Sequence, residues 1–176
     1  ADLAVTNYFS NTVSIFINNG TGTFAAKVDY TTGTNPRSVA IGDLNGDGKA
    51  DLAVANSNSS TVSVFINKGT GTFAAKVDYT TGTNPYSVAI GDLNGDGKQD
   101  LAVANNGSVN ASVFVNNGNG TFATKVDYRS GTGPYSVVIG DLNGDGKADL
   151  AVANGSSDTI SVFINNSKPL SAVVVI

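Results

Sequence analysis

The chain has 176 residues, of which 40% are hydrophobic, with 14 acidic and 10 basic side chains and a formal net charge of −4, which suits one domain with a substantial core. All the acidic residues are aspartate, and the absence of Cys and His excludes the common nucleophilic triads, so we expect no enzyme. The basic residues form no stripe for nucleic acid, and no apolar run of about 18 residues predicts a membrane span.

A period of 49 residues organises the chain. One aspartate and one phenylalanine recur at this spacing, as Asp2, Asp51, Asp100 and Asp149, and as Phe16, Phe65, Phe114 and Phe163. The chain opens within a repeat, so we expect the start of a precursor to lie upstream. One complete unit alternates like strands and shows no helical period. Its predicted strands are, in order, A at 38–42, B at 51–55, C at 61–67 and D at 72–79.

The most specific motif joins strands A and B. It reads Asp43-Leu44-Asn45-Gly46-Asp47-Gly48-Lys49-Ala50-Asp51, and its first seven residues recur at 92–98 and 141–147. Side-chain oxygens occupy positions 1, 3, 5 and 9, position 7 offers a carbonyl, and the glycines permit turns with positive φ. This pattern predicts about three Ca²⁺ ions per chain. The predicted ligands are Asp43, Asn45, Asp47, Lys49, Asp51, Asp92, Asn94, Asp96, Lys98, Asp100, Asp141, Asn143, Asp145, Lys147 and Asp149.

Two other structures would also place Asp, Asn and Gly in such a loop. An EF-hand requires Glu at position 12, where Val54 stands, and a strand rather than a helix follows. An ordinary Asp/Asn/Gly turn without metal is the simpler alternative. It is disfavoured because carboxylates about 4 Å apart repel by roughly 4 kcal/mol per pair at an effective dielectric near 20. Three bound Ca²⁺ ions would bring the formal charge from −4 to about +2.

Each predicted sheet is apolar on one face and lined by small residues on the other. Such sheets bury both faces only by stacking on one another, so the sequence predicts an all-β fold, a β-propeller of four-stranded antiparallel blades. A linear stack is disfavoured because no polar cap is evident. We expect a single domain, 1–176, with about four blades. Their predicted boundaries are 1–35 with 171–176, then 36–84, 85–133 and 134–167.

The sequence predicts that the C-terminal segment completes the first blade. Lys168-Pro169-Leu170-Ser171 resembles Asn84-Pro85-Tyr86-Ser87, which opens a strand A. We therefore expect 171–176 to pair beside 1–6, either within one chain or between chains as a homo-oligomer or filament. The alternative is that 170–176 forms a degenerate strand D of the last blade.

The repeat resembles the FG-GAP-like, or VCBS, repeats of bacterial extracellular proteins, which are related to the integrin α-subunit propeller. The resemblance rests on G-D-L-N-G-D-G-K-x-D-L-A-V-A-N and on V-F-I-N-N-G-x-G-T-F, and it covers nearly the whole chain. It implies calcium between the first two strands of each blade, on Asp43, Asn45, Asp47, Lys49, Asp51 and their counterparts. The Phe-Gly and Gly-Ala-Pro elements that name the family are absent, and its members commonly carry about seven blades, so no integrin-like ligand mode is carried over.

These features predict a calcium-stabilised, extracellular or cell-surface module with a structural or adhesive role. The alternative is a lectin-type or enzyme-associated propeller that binds carbohydrate. A ligand, glycan or protein, would suit the positions that vary between repeats: Arg37, Tyr86, Tyr135 and Leu170 before strand A, and the B–C loops 6–11, 56–60, 105–110 and 154–158. The alternative is that these positions are solvated loop tips that vary freely and bind no ligand. Tyr30, Tyr79 and Tyr128 are expected to pack between blades.

Overall fold

The computed structural model describes residues 2–166 and 173–175, which form strands and turns throughout. The first two sheets contain β1 (Leu3–Asn7), β2 (Thr12–Phe16) and β3 (Val28–Thr31), then β4 (Pro36–Gly42), β5 (Asp51–Asn56), β6 (Thr61–Phe65) and β7 (Val77–Thr80). The last two contain β8 (Pro85–Gly91), β9 (Asp100–Asn105), β10 (Asn110–Phe114) and β11 (Val126–Arg129), then β12 (Pro134–Gly140), β13 (Asp149–Asn154), β14 (Thr159–Phe163) and β15 (Val173–Val175). This confirms the all-β prediction. Among the described residues, no helix could cross a membrane.

Every sheet is an antiparallel meander in which consecutive strands pair. In the second sheet, Ile41 pairs with Leu52, and Leu52 pairs in turn with Phe65. The same register recurs in the third sheet at Ile90, Leu101 and Phe114. The strand pairing therefore repeats every 49 residues together with the amino-acid sequence, as blades of one propeller-like fold require.

Strands A and D differ in length from the sequence prediction. Strand A begins at Pro36 rather than at 38, and a β-bulge follows immediately, because Pro36 pairs with Asn56 while Ser38 pairs with the adjacent Ala55. Strand D begins at Val77 rather than at 72. Before it, the turn at 68–71 allows Phe73 only an isolated bridge to Asn67, and the ladder resumes several residues later.

The hydrophobic core lies between successive sheets. Val13 and Ile15 of the first sheet pack against Leu52, Val54 and Phe65 of the second, and all five are nearly inaccessible to solvent. The inner strands β4, β8 and β12 lie next to one another in that order. They approach so closely that a Cβ at Gly42 would lie 2.9 Å from Ile90 Cγ2. A Cβ at Gly91 would likewise lie 2.7 Å from Ile139 Cγ2, so glycine at the ends of β4 and β8 allows each blade to pack on the next.

The 49-residue spacing also places aromatic side chains at the boundaries between sheets. The Tyr30 ring lies 6.3 Å from that of Phe65 and 5.3 Å from that of Phe73, both on the next sheet, in edge-to-face geometry. Tyr79 meets Phe114 and Phe122 in the same way. Tyr128 contacts Phe163 at 5.9 Å. The prediction that these tyrosines pack between blades is confirmed.

The C-terminal strand corrects the sequence prediction. Val173–Val175 pairs with β14 as the fourth strand of the last sheet, with Val174 opposite Val162 and Val175 opposite Ser161. The expectation that 171–176 lies beside 1–6 of the same chain is therefore wrong for Val173–Val175, and the alternative strand D is the observed one; residues 171, 172 and 176 lie outside the described part. Pairing between chains stays a prediction. Pairing with the strand that precedes it along the chain is the common outcome, and it outweighed the Pro-x-Ser resemblance.

The two terminal sheets keep one face open to solvent in this chain. Leu142 is 51% exposed, whereas its equivalents Leu93 and Leu44 are 4% and 1% exposed because the next sheet covers them. At the other end, Leu3 is 48% exposed and its equivalent Leu52 only 2%. The same residue type at the same repeat position is thus buried or exposed according to whether a neighbouring sheet is present.

Candidate metal loops and the opposite rim

The three predicted metal loops all lie between strands A and B, at one end of the inner strands. Their six glycines adopt positive φ, between 77° and 82°, as the sequence predicted: Gly46, Gly48, Gly95, Gly97, Gly144 and Gly146. A residue with a Cβ would be strained in this region, whereas glycine is not. These turns fold each loop back on its first aspartate.

Asp43, at position 1, is the centre of its loop. Its Oδ1 accepts a hydrogen bond from the Gly46 amide at 2.7 Å, and its Oδ2 accepts one from the Gly48 amide at 2.8 Å. These backbone donors, the Gly48 amide foremost, hold the pKa of Asp43 below its usual value. Asp141 has the same cradle, and the Gly146 amide likewise lowers its pKa. The aspartate is therefore held ionised and in place.

Positions 3 and 5 continue this pattern. Asn45 Oδ1 accepts a hydrogen bond from the Asp47 amide, and Asp47 Oδ1 accepts one from the Lys49 amide, both at 3.0 Å. The Lys49 ammonium lies 2.9 Å from Asp47 Oδ2 and is the largest cause that lowers the pKa of Asp47. One oxygen of each side chain is thus fixed by the loop backbone. Each oxygen has a second lone pair, so a cation can share it.

Asp51, at position 9, is fully buried. Its Oδ2 accepts a hydrogen bond from the Leu44 amide at 2.9 Å and its Oδ1 one from the Asn67 amide at 2.7 Å. Burial, and then the charges of Asp47 and Asp43, raises its pKa. Burial also raises the pKa of Asp100, its equivalent. In the described part of the chain neither carboxylate forms an ion pair, so the cationic charge that would offset their burial is not supplied by a side chain.

The chemistry of these residues fits a hard cation. Every predicted donor is a carboxylate, an amide oxygen or a backbone carbonyl, which are the ligands of Ca²⁺. Within residues 2–166 and 173–175, no three acidic side chains converge into a metal-holding group by themselves. A cation bound in this loop would therefore need Asn45 and the Lys49 carbonyl as ligands in addition to the aspartates. If Ca²⁺ binds, it would supply a positive charge to Asp43 and Asp51, which form no ion pair in the described part of the chain, whereas Asp47 already pairs with Lys49.

A contact that the sequence analysis missed ties each loop to the next sheet. Asn116, which is 2% exposed, donates through Nδ2 to Leu44 O at 2.8 Å and to Gln99 O at 2.7 Å. Leu44 belongs to the metal loop 72 residues earlier, in the preceding blade. Asn165 reaches Leu93 O in the same manner, at 2.5 Å. The available signal was the recurrence of asparagine at 18, 67, 116 and 165.

The variable residues before strand A meet at the opposite end of the inner strands. The Arg37 guanidinium carbon lies 4.0 Å from the centroid of the Tyr86 ring and 4.9 Å from that of the Tyr8 ring. The Tyr86 and Tyr135 rings lie 5.6 Å apart, edge to face. Tyr8, within the first B–C loop, was not singled out from the sequence. Leu170 lies outside the described residues.

Comparison with known families decides the family of this chain. The model of the FG-GAP-like repeat matches residues 1–54, 43–103 and 92–152, and the model of the FG-GAP repeat matches residues 133–176. The chain belongs to the FG-GAP repeat family. The resemblance inferred from its loops and its Gly-Thr-Phe turns is thereby confirmed. No curated protein matches the chain.

Solved structures share the fold of this FG-GAP protein. A lectin of Agrocybe aegerita that recognises non-reducing terminal N-acetylglucosamine is 24% identical, with a TM-score of 0.63 over 94% of this chain and 46% of the lectin. The Tc holotoxin pore of Photorhabdus luminescens is 22% identical, with a TM-score of 0.57 over 98% of this chain and 9% of the toxin. The biofilm matrix protein Bap1 of V. cholerae is 19% identical, with a TM-score of 0.51 over 99% and 30%. The chain thus spans less than half the length of these proteins.

Proposed function

We propose that this FG-GAP chain is a calcium-stabilised, non-catalytic module with a structural or adhesive role outside the cell. The observation that carries the proposal is the triple recurrence of one oxygen-rich loop, in which backbone amides hold the first aspartate and a buried aspartate closes the loop. An extracellular setting supplies millimolar calcium, which suits loops of modest affinity. The biofilm matrix protein with the same fold is consistent with such a role.

Calcium would act on the boundary between blades as well as on the loop. Asn116 hydrogen-bonds to Leu44 O, so the loop of the second sheet is part of its contact with the third. A cation that orders the loop therefore also fixes the acceptor of this bond. We expect calcium to stiffen the stack of sheets, which is the mechanical property that a structural or adhesive module requires.

Calorimetric titration of calcium tests this function. We expect about three ions per chain, with dissociation constants of roughly 10⁻⁴ to 10⁻³ M. Asp43→Ala removes a side-chain oxygen and should abolish one site, whereas Lys49→Ala keeps the backbone carbonyl and removes a competing ammonium, so it should preserve all three. Equal loss in both variants would mean that the ligand register is misassigned, and absence of binding would refute the calcium function.

Carbohydrate binding is a second candidate function. Two observations favour it: the lectin with the same fold, and the exposed Tyr135, which is 61% accessible and lies beside Tyr86, the ring that Arg37 contacts. Exposed aromatic rings with a polar edge are suited to ligand contact. A glycan array read with calcium and with EDTA separates the two candidates. Binding to defined sugars supports the lectin role, and if no sugar binds, only the structural role stays supported.

A further inference from the structure

The rim opposite the metal loops contains a preformed cavity. Its volume is about 390 Å³, and it is lined by Thr6, Tyr8, Pro36, Arg37, Tyr86 and Tyr135. Side chains of four successive sheets therefore contribute to one surface. The cavity contains one formal charge, that of Arg37, together with three phenolic rings. The cavity thus combines one cation with several aromatic rings.

The backbone places Arg37 in this cavity by a specific irregularity. The bulge at the start of β4 leaves Arg37 without a partner on β5, between the Pro36–Asn56 and Ser38–Ala55 pairs. The same shift occurs at Tyr86 and Tyr135 in the later sheets. Bulges reorient a side chain relative to the sheet and are frequent beside binding sites. The row of Arg37, Tyr86 and Tyr135 is thus a product of the repeat architecture.

Arg37 has no acidic partner among the described residues, in contrast to most cations of the chain. Six lysines pair with an aspartate two positions away in the sequence, as Lys27 does with Asp29 at 2.5 Å. Arg37 instead contacts ring faces on Tyr8 and Tyr86. Stacking uses the flat face of the guanidinium and leaves its N–H edge available. The two rings therefore hold a charged donor group in a fixed position.

Packing alone does not require arginine at this position. The equivalent residues Tyr86 and Tyr135 occupy the same bulge, and the flanking residues Asn-Pro and Ser-Val-Ala-Ile-Gly are identical around positions 37 and 86. A tyrosine at 37 would satisfy the same architecture. The arginine therefore adds charge where the fold does not need it, in a chain with only two arginines.

The acidic metal loops do not cancel this charge. Arg37 lies six residues before Asp43, the first residue of the loop that follows β4, so about 20 Å of strand separates them at about 3.3 Å per residue. Exposed charges separated by more than about 8 Å are largely screened at physiological ionic strength. The predicted metal loops therefore leave the charge of Arg37 in the cavity unneutralised, although the chain as a whole has a net charge of −4.

We propose that this cavity binds a saccharide that carries a carboxylate, of the hexuronic acid class. The guanidinium edge of Arg37 matches a carboxylate in a bidentate pair. The rings of Tyr86 and Tyr135 offer apolar surface to the sugar ring, and their hydroxyls and that of Thr6 offer hydrogen bonds to its hydroxyls. An acidic peptide suits the site less well, because peptide anchors fill deep apolar pockets and this cavity has a polar, phenolic lining. The inference rests on the second candidate function and names its site and ligand class.

Calorimetry with three probes tests the proposal: tri-galacturonic acid, the neutral tri-galactose, and an oligo-glutamate peptide, each with equal free calcium in cell and syringe. We expect the wild-type chain to bind the acidic trimer at least about tenfold more tightly than the neutral one. Arg37→Tyr, which installs the residue of the other blades, should remove this preference, and Arg37→Lys should retain only part of it. Arg129→Tyr changes the other arginine and should leave the preference intact.

Several results would overturn the proposal. If the acidic trimer binds wild type and Arg37→Tyr equally, or shows no binding at about 10 mM, the site is misassigned. Tighter binding of the peptide would overturn the saccharide class. If the neutral trimer binds as well as the acidic one, carbohydrate binding stands and only the role of Arg37 fails. Melting of each variant with calcium is a separate readout and tests the structural function.

Discussion

Replacement of Asn116 by alanine measures the coupling between one metal loop and the next blade. The amide of Asn116 bonds Leu44 O across the blade boundary and Gln99 O within its own sheet, and its Oδ1 accepts from the Gly118 amide at 2.7 Å. Asn67 provides the matched control. The Asn67 side chain donates to Ala50 O at 2.9 Å and accepts from the Gly69 amide at 2.8 Å. These two bonds are the equivalents of the Asn116 bonds within its own sheet, without the bond across the blade boundary.

The difference between the two variants isolates the contact across the boundary. A typical hydrogen bond contributes about 0.5–1.5 kcal/mol net, and a buried acceptor left without a partner costs about 1–3 kcal/mol. Asn67→Ala should therefore destabilise the chain by about 1–2 kcal/mol. Asn116→Ala also leaves Leu44 O without its donor, and Leu44 is 1% exposed. Its cost should be about 1–2 kcal/mol greater than that of Asn67→Ala.

Urea unfolding followed by circular dichroism gives both free energies. The transitions should be recorded in EDTA and again with calcium, because the affected carbonyl belongs to a metal loop. We expect Asn116→Ala to have the lower midpoint in both conditions, with unchanged slopes. Equal midpoints for the two variants would refute the reasoning, since the bond to Leu44 O would then contribute nothing to stability.

Two further predictions use the repeat as its own control. Leu93→Ala should lower the free energy of unfolding by about 3 kcal/mol, whereas Leu142→Ala, at the same loop position but half exposed, should lower it by less than about 1 kcal/mol. Similar melting temperatures for the two variants would contradict the stacking of the third sheet on the fourth. Deletion of 171–176 should increase amide exchange in β14, its partner, and leave β1 unchanged, because Val173–Val175 pairs with β14; loss of protection in β1 instead would restore the original assignment to the first blade.

The sequence predicted the blades because the period of two along each strand and the period of 49 along the chain agree. Val62 and Val64 alternate with Ser63, and the structure pairs them in the expected sheet and buries them. Tyr79 could be assigned to the blade boundary because it recurs at the end of strand D. Alternation along a strand and recurrence between repeats can both be observed in the sequence without knowledge of how the blades are placed.

Features that depend on the relative placement of blades were not predictable in this way. The bond from Asn116 to Leu44 O joins residues 72 positions apart, and the contact of Arg37 with Tyr8 depends on a bulge. The C-terminal strand was misassigned for a related reason. The short Pro-x-Ser motif indicates a strand A, whereas Val174 pairs opposite Val162 of the neighbouring strand without any special motif.

Thermal melting with and without calcium tests the central claim most directly. At about 10 mM Ca²⁺, dissociation constants of roughly 10⁻⁴ to 10⁻³ M give about 1.4–2.7 kcal/mol of stabilisation per site. A chain of this size gains about 2–4 °C in Tm per kcal/mol. Three independent sites should therefore raise Tm by about 8 °C or more over the EDTA-treated chain, and Mg²⁺ at equal concentration should raise it less. The same Tm in calcium and in EDTA would contradict the account.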